Sequence, residues 1–349
     1  MTDSTDQARP TRGDRGVRRR RPRVWQVVVI AIAALLVAEK AIALTNPTPQ
    51  VGRWRSIEGF ESYRTAYSQV MERLPPATRV HDVRTAYGTV RVYEWSAPGD
   101  HTPVAFLPGI RSGAPMWVDN IRPWLGRRTV YALDAVGDAG MSTQSTPLTS
   151  FDDHATWLDQ TFAGLGLDRI HLVGHSFGGA MAATYATHHP ERLATLTMFE
   201  PVMVMVVQAL PASTYLWATL LMLPVPQAWR DKALAEIGGV TVAEVQQRDP
   251  VSVMIEQASA HYVGDQLTPR PLTDQEWRTV LGASGEGVPT RIDIAADTSL
   301  TGGEEAAARS RRLGMDRVTV WPGATHSLPM QVADQLEPEL ARWWADHDA

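Results

Sequence analysis

The chain has 349 residues, 44% hydrophobic and 20% charged, a globular composition long enough for one large domain with appendages. It contains no cysteine, which excludes disulfides, thiol catalysis and cysteine-ligated metals and leaves the redox compartment open. The net charge of −5 conceals an asymmetry: residues 1–23 carry eight arginines against three aspartates, and nothing beyond that tail has the basic pattern of a nucleic-acid surface.

Arg18 to Arg21 and Arg23 stand directly before an apolar run from Val24 to Ala38, the layout of a membrane-targeting segment whose positive side stays in the cytoplasm. Continued through Glu39 and Lys40 to Leu44, the run reaches about 31 Å as a helix, enough to cross the hydrocarbon core. The charged pair would snorkel to the outer interface. The segment predicts a single-pass cell-membrane anchor at 24–44, with 1–23 as a basic cytoplasmic tail and the rest of the chain outside the cytoplasm. Ala41-Ile42-Ala43 has the small-x-small form of a cleavage site, so a signal peptide and a secreted product are the alternative.

Residues 45–77 read as a linker followed by an amphipathic helix. Ile57, Phe60, Tyr63, Tyr67, Val70, Met71 and Leu74 recur at helical spacing before Pro75-Pro76, which predicts a helix over 57–74 lying against the catalytic domain. A hairpin follows at 80–87 and 89–95, with further strands at 104–107, 129–133, 170–173, 195–199, 291–295 and 317–320. Helices are expected at 115–125, 152–165, 178–189, 304–313 and 331–344. This alternation predicts an α/β fold whose mostly parallel sheet, of about eight strands, is flanked by helices on both faces. Between Phe199 and Arg291 the pattern turns helical, punctuated by prolines and by Gly238-Gly239. A structureless loop of that length does not suit a compact domain, so residues 202–284 are read as a helical cap inserted into a core of 78–201 and 285–349.

The stretch "LVGHSFGGAM" at 172–181 passes from β-formers to helix-tolerant residues through Gly174-x-Ser176-x-Gly178. That spacing suits a sharp strand-to-helix turn that presents a nucleophilic serine. A serine hydroxyl needs a general base, ordinarily a histidine held by a carboxylate. His326, in "WPGATHSLPM" after the last strand, is the base whose chain order and loop context fit. For the acid, Asp297 ends the strand in "RIDIAADTSL", and Glu200 in "MFEPVM", at the end of the preceding strand, is the alternative. The Ser, acid, His order and the loop placement favour Asp297. An oxyanion hole needs two backbone N–H groups; Phe177, after the serine, and Ile110, in "LPGI" after the third strand, are the candidates.

From about residue 78 to the end, the chain resembles the α/β-hydrolase superfamily. The resemblance rests on "LPGI", "YALDAVGDAGMS" (131–142), "LVGHSFGG", "IAAD" and "GATHSLPM". It departs from the common pattern in reading Pro108-Gly109 where His-Gly is usual, and in lacking a glycine before Asp297. The resemblance implies the α/β-hydrolase fold with a serine nucleophile and no cofactor or metal; serine at the elbow sets aside the aspartate-nucleophile members. The expected activity is hydrolysis of a small carboxylic ester with a hydrophobic group through an acyl-enzyme. The methionine-rich stretch from Met203 to Met222 either lines the cleft or forms cap core. Alternatives are a cofactor-free haloperoxidase or C–C bond hydrolase with the same triad, or a membrane-tethered, non-catalytic ligand-binding or signalling protein. Oligomeric state is not legible.

Overall fold

The computed structural model describes residues 50–348 apart from 207–211, 222, 224, 265–266, 283–285 and 298. The tail at 1–23 and the expected anchor at 24–44 lie outside the described residues, and among the described residues no helix is long and apolar enough to cross a membrane.

A short strand, β1 (Arg53–Trp54), precedes helix α1 (Ile57–Met71). Ser56 caps α1 by accepting the Gly59 N–H at 3.1 Å, and Tyr63, Ala66, Tyr67 and Val70 form its buried face. The helix ends one turn earlier than its periodicity suggests, ahead of the Pro75-Pro76 pair. Strands β2 (Arg79–Thr85), β3 (Gly88–Trp95) and β4 (Val104–Leu107) follow. The helix expected at 115–125 is broken into a 3-10 turn (Ala114–Trp117), the single turn α2 (Val118–Ile121) and another 3-10 turn (Arg122–Trp124). Pro123 removes a backbone donor that a continuous helix would need, whereas Pro115 stands in the first turn, where none is required.

The chain continues through β5 (Val130–Leu133), β6 (Thr143–Gln144), α3 (Asp153–Gly164), β7 (Ile170–His175), α4 (Phe177–His188) and β8 (Leu193–Phe199). Between β8 and β10 come α5 (Ala212–Leu221), α6 (Gln227–Gly238), α7 (Val242–Gln246), α8 (Pro250–His261), β9 (Tyr262–Val263) and α9 (Asp274–Leu281). The last elements are β10 (Thr290–Ala295), α10 (Gly303–Leu313), β11 (Arg317–Trp321), α11 (Leu328–Gln331) and α12 (Ala333–Ala345).

Among the described residues nine strands make the main sheet, in the order β11-β10-β8-β7-β4-β5-β3-β2, with β6 also on β3. Pairing is parallel from β5 across to β11, and antiparallel where β2, β3 and β6 form one flank. Every residue of β4, β5, β7, β8 and β10 is buried, as expected for strands covered on both faces. Alternate side chains feed two cores. Leu107 and Leu172 pack with Leu158, Phe162 and Tyr185 on one face, while Phe106 and Val173 pack with Trp117, Leu340 and Trp344 on the other.

The segment between β8 and β10 is not a free-standing lid. Helix α9, opened by a reciprocal Thr273–Glu276 capping box, sends Trp277, Val280 and Leu281 into the core of the sheet. Strand β9 pairs antiparallel with β1, and α8 lies so close to α1 that a Cβ on Gly59 would stand 2.7 Å from the Cβ of His261. Helix α1 therefore packs against the insertion as well as the core. The carboxyl ends of β4, β7, β8, β10 and β11 open on one edge of the sheet, where sites in such folds assemble.

Candidate active site

Ser176 sits between β7 and α4 with φ 54° and ψ −117°, a conformation L-residues rarely adopt. The turn is held by the Ser176 N–H on the Phe199 carbonyl (2.9 Å) and by the Ser176 carbonyl, which accepts from Ala180 (3.1 Å) and Val202 (3.2 Å). The flanking glycines are required sterically. A Cβ on Gly174 would lie 2.3 Å from the Gly178 carbonyl oxygen, and one on Gly178 would lie 2.4 Å from the carbonyl oxygens of Leu107 and Pro108. Only bare backbone lets α4 pass this close to the ends of β7 and β4.

The turn after β11 brings His326 over the serine. Its Nε2 stands 2.9 Å from Ser176 Oγ, and its Nδ1 stands 3.1 Å from Oε2 of Glu200. With a carboxylate facing Nδ1, the ring proton belongs on Nδ1, which leaves Nε2 free to accept the serine proton. Glu200 follows the last residue of β8 at φ 47° and is fully buried. Its Oε1 accepts from the Ala295 N–H (2.7 Å) and the Ser299 hydroxyl (2.9 Å), and its Oε2 also accepts from the Leu300 N–H (3.0 Å). A buried carboxylate with this many donors is held in one orientation.

Asp297, which the sequence favours as the acid, does not meet the histidine. It is exposed at the end of β10, where its backbone N–H donates to the Ala324 carbonyl at 3.1 Å. Strand β10 serves the site differently: Ala295, Ser299 and Leu300 wrap the carboxylate of Glu200. The position facing Nδ1 is filled from the adjacent strand, whose left-handed residue turns a longer side chain inward.

The LPGI turn closes on the serine from the other side. A Cβ on Gly109 would be 3.0 Å from His175 Nδ1 and 3.5 Å from Ser176 Cβ, so a side chain there would crowd the histidine ring. This places the turn carrying Ile110 beside the first turn of α4, whose leading N–H groups, Phe177 among them, have no acceptor within the helix and lie at its positive end. The Phe177 ring packs edge-on against Phe151 and His154. A cavity of about 10 Å³, room for roughly one water, is lined by Asp138, His154, Phe177 and Leu267. A larger groove of about 560 Å³ lies elsewhere, between the second half of α1 and β2–β3, and shares no residue with Ser176, His326 or Glu200.

His175 is a further contributor, hidden in the sequence as the variable residue before the serine. Its Nε2–H donates to the His326 carbonyl at 2.8 Å, and the two rings lie 5.0 Å apart. Burial and the neighbouring His326 push His175 down to about 3, so its ring stays neutral and adds no charge beside the base. The same histidine loop is tied to the insertion, because the Gly238 carbonyl at the end of α6 accepts from the hydroxyls of Thr325 (3.0 Å) and Ser327 (3.2 Å). The methionine-rich stretch divides: Met205 and Leu221 are buried and Leu216 is exposed, while residues 207–211 and 222 lie outside the described residues. Trp117 is core, fully buried between Phe106 and Phe199.

Residues 102–238 match the family model for the alpha/beta hydrolase fold. An uncharacterized carboxylesterase, nap, of Bacillus subtilis is 29% identical over 146 residues, which is 42% of this chain and 48% of that protein. Carboxylesterase YbfK of the same organism is 28% identical over 149 residues, 43% of this chain and 50% of that protein. The chain thus spans about half the length of these curated relatives. The crystal structure of naproxen esterase from Bacillus subtilis superposes with a TM-score of 0.71 at 21% identity, covering 83% of this chain and 99% of that one.

Proposed function

We propose that the chain, whose residues 102–238 match the alpha/beta hydrolase fold family, is a serine hydrolase that cleaves carboxylic esters bearing a hydrophobic group. The observation that carries this reading is the unbroken line from Ser176 Oγ to His326 Nε2 and from His326 Nδ1 to Glu200. The carboxylesterase names of the two Bacillus relatives agree with it.

In this reading, Ser176 Oγ attacks the ester carbonyl carbon while His326 Nε2 takes the hydroxyl proton. The carbonyl oxygen becomes an oxyanion between the N–H groups of Ile110 and Phe177, donors fixed before the charge develops. Glu200 stabilises the imidazolium without taking its proton. Collapse of the tetrahedral intermediate breaks the bond to the leaving alcohol, which receives the proton from Nε2, and the acyl group stays on Ser176. Water then gives a proton to His326 and attacks the acyl carbon, and Ser176 leaves with that proton.

Ser176→Ala should abolish hydrolysis of a short p-nitrophenyl ester and labelling by a fluorophosphonate, with the far-UV circular dichroism unchanged. Wild-type protein that neither labels nor hydrolyses would refute the reading and favour ligand binding. We further propose that residues 24–44 tether the enzyme to the cell membrane with its active site outside the cytoplasm, on the strength of the arginines preceding an apolar run. Release of the full-length chain by alkaline carbonate would count against that tether.

A further inference from the structure

The Ser112 N–H donates to the Gly109 carbonyl at 3.2 Å, which closes a β-turn with Ile110 and Arg111 at its centre. A peptide unit is planar, so this bond fixes the plane shared by the Gly109 carbonyl and the Ile110 N–H and aims that N–H the opposite way. The Ser112 hydroxyl adds a bond to the Ile110 carbonyl at 3.1 Å. Arg111 occupies the third position of the turn at φ 61°, a left-handed place that glycine or asparagine ordinarily takes.

The side chain put there is not a solvated one. Arg111 is 8% exposed. Its backbone N–H donates to Oδ2 of Asp138 at 2.6 Å, its guanidinium lies 3.4 Å from Oδ1 of the same carboxylate, and its Cζ stands 5.0 Å over the ring of Tyr262. Asp138 is buried too. It also accepts from the Ala139 N–H at 2.8 Å and borders the small cavity against Phe177. A left-handed arginine, a desolvated cation and a desolvated carboxylate each oppose folding. Glycine at this position would remove two of the three. What the arrangement supplies is a clamp: one carboxylate grips the Gly109–Ser112 turn through both backbone and side chain, and borders the small cavity that Phe177 also lines.

We propose that Arg111 and Asp138 are positioning residues for the oxyanion hole, locking the Gly109–Ser112 turn so that the Ile110 N–H converges with that of Phe177. This rests on the reading of Ser176 as the nucleophile of an ester hydrolase. Neither residue touches the substrate; both act through the turn.

The test uses the full chain and the variants Arg111→Gly and Asp138→Asn. It measures kcat and KM for p-nitrophenyl acetate, inhibition by an aryl boronic acid whose serine adduct places an oxygen in the oxyanion hole, and the melting temperature. Arg111→Gly relieves the left-handed strain but takes the cation away from the buried Asp138 carboxylate, so it should melt lower than wild type while staying folded at the assay temperature. Its kcat should fall at least tenfold with KM within about twofold, and boronate affinity should fall by a similar factor. Asp138→Asn, which keeps an acceptor for the Arg111 N–H but loses the charge, should fall between Arg111→Gly and wild type; if Arg111→Gly fails to fold, this variant decides by the same readouts. Wild-type kcat and boronate affinity in the folded variants would overturn the proposal, as would losses that only track melting temperature. Wild-type protein inert toward both ester and fluorophosphonate would instead overturn the nucleophile assignment, and this inference with it.

Discussion

Two neighbouring strands end in an acid at the same edge of the sheet, and they treat it in opposite ways. At the end of β8, Glu200 is buried, takes φ 47° and accepts three protein donors besides the His326 ring. At the end of β10, Asp297 is exposed and contributes a backbone N–H to the Ala324 carbonyl. The donors around Glu200 come largely from the β10 side: Ala295 from the strand itself, and Ser299 and Leu300 from the loop that follows. One strand end supplies the charge and the other supplies the dipoles that hold it. A buried charge is tolerable only with such a shell, and the shell needs both strands in place.

The largest effect should come from neutralising the buried acid. Glu200→Gln keeps the side-chain length but replaces the acceptor facing Nδ1 with an amide, which permits the wrong ring tautomer. A loss in kcat of about 10³ to 10⁴ is expected, by analogy with the magnitude known for an acid-to-amide change in such a triad. Steady-state hydrolysis of a p-nitrophenyl ester measures it, and a loss below tenfold would break the contrast between the two strand ends.

A smaller effect is expected from the shell. Ser299→Ala removes the hydroxyl bond to Glu200, and it also removes the acceptor for the N–H groups of Thr301 (3.1 Å) and Gly303 (3.2 Å). One lost hydrogen bond to a charged group is worth about 1.5 to 3 kcal/mol at most. Since the other two donors to Glu200 remain, kcat should fall about tenfold, or about 1.4 kcal/mol, with a lowered melting temperature. An unchanged kcat would show that the backbone donors suffice alone. The smallest effect belongs to Asp297→Asn, a surface change expected to stay within about 0.5 kcal/mol in stability and to leave kcat near wild type.

The contrast also marks what one sequence can convey. The alternation of strands and helices, the glycines about Ser176 and the loop position of His326 are local patterns, and each fixes its own geometry. The choice between Glu200 and Asp297 is not local. Both satisfy the order Ser, acid, His, and deciding between them needs the strand order, the positive φ at 200 and the direction of two backbone N–H groups and one hydroxyl. Order along the chain is readable and admits both acids, whereas adjacency across the sheet, which selects Glu200, is not. The broken helix at 114–124 could have been anticipated from Pro123. In contrast, the bond from His175 to the His326 carbonyl, the packing of Gly59 against His261 and the clamp at Arg111 join residues far apart in sequence, and no periodicity records them.

The most direct measurement is proton NMR of the hydrogen-bonded imidazole region, which observes the proton between His326 and its acid without relying on turnover. A far-downfield N–H resonance, assigned by its loss in His326→Ala, should be present in wild type, persist in Asp297→Asn and disappear or move sharply upfield in Glu200→Gln. A resonance unchanged in Glu200→Gln and lost in Asp297→Asn would contradict the central claim that the buried glutamate of β8 holds the catalytic histidine.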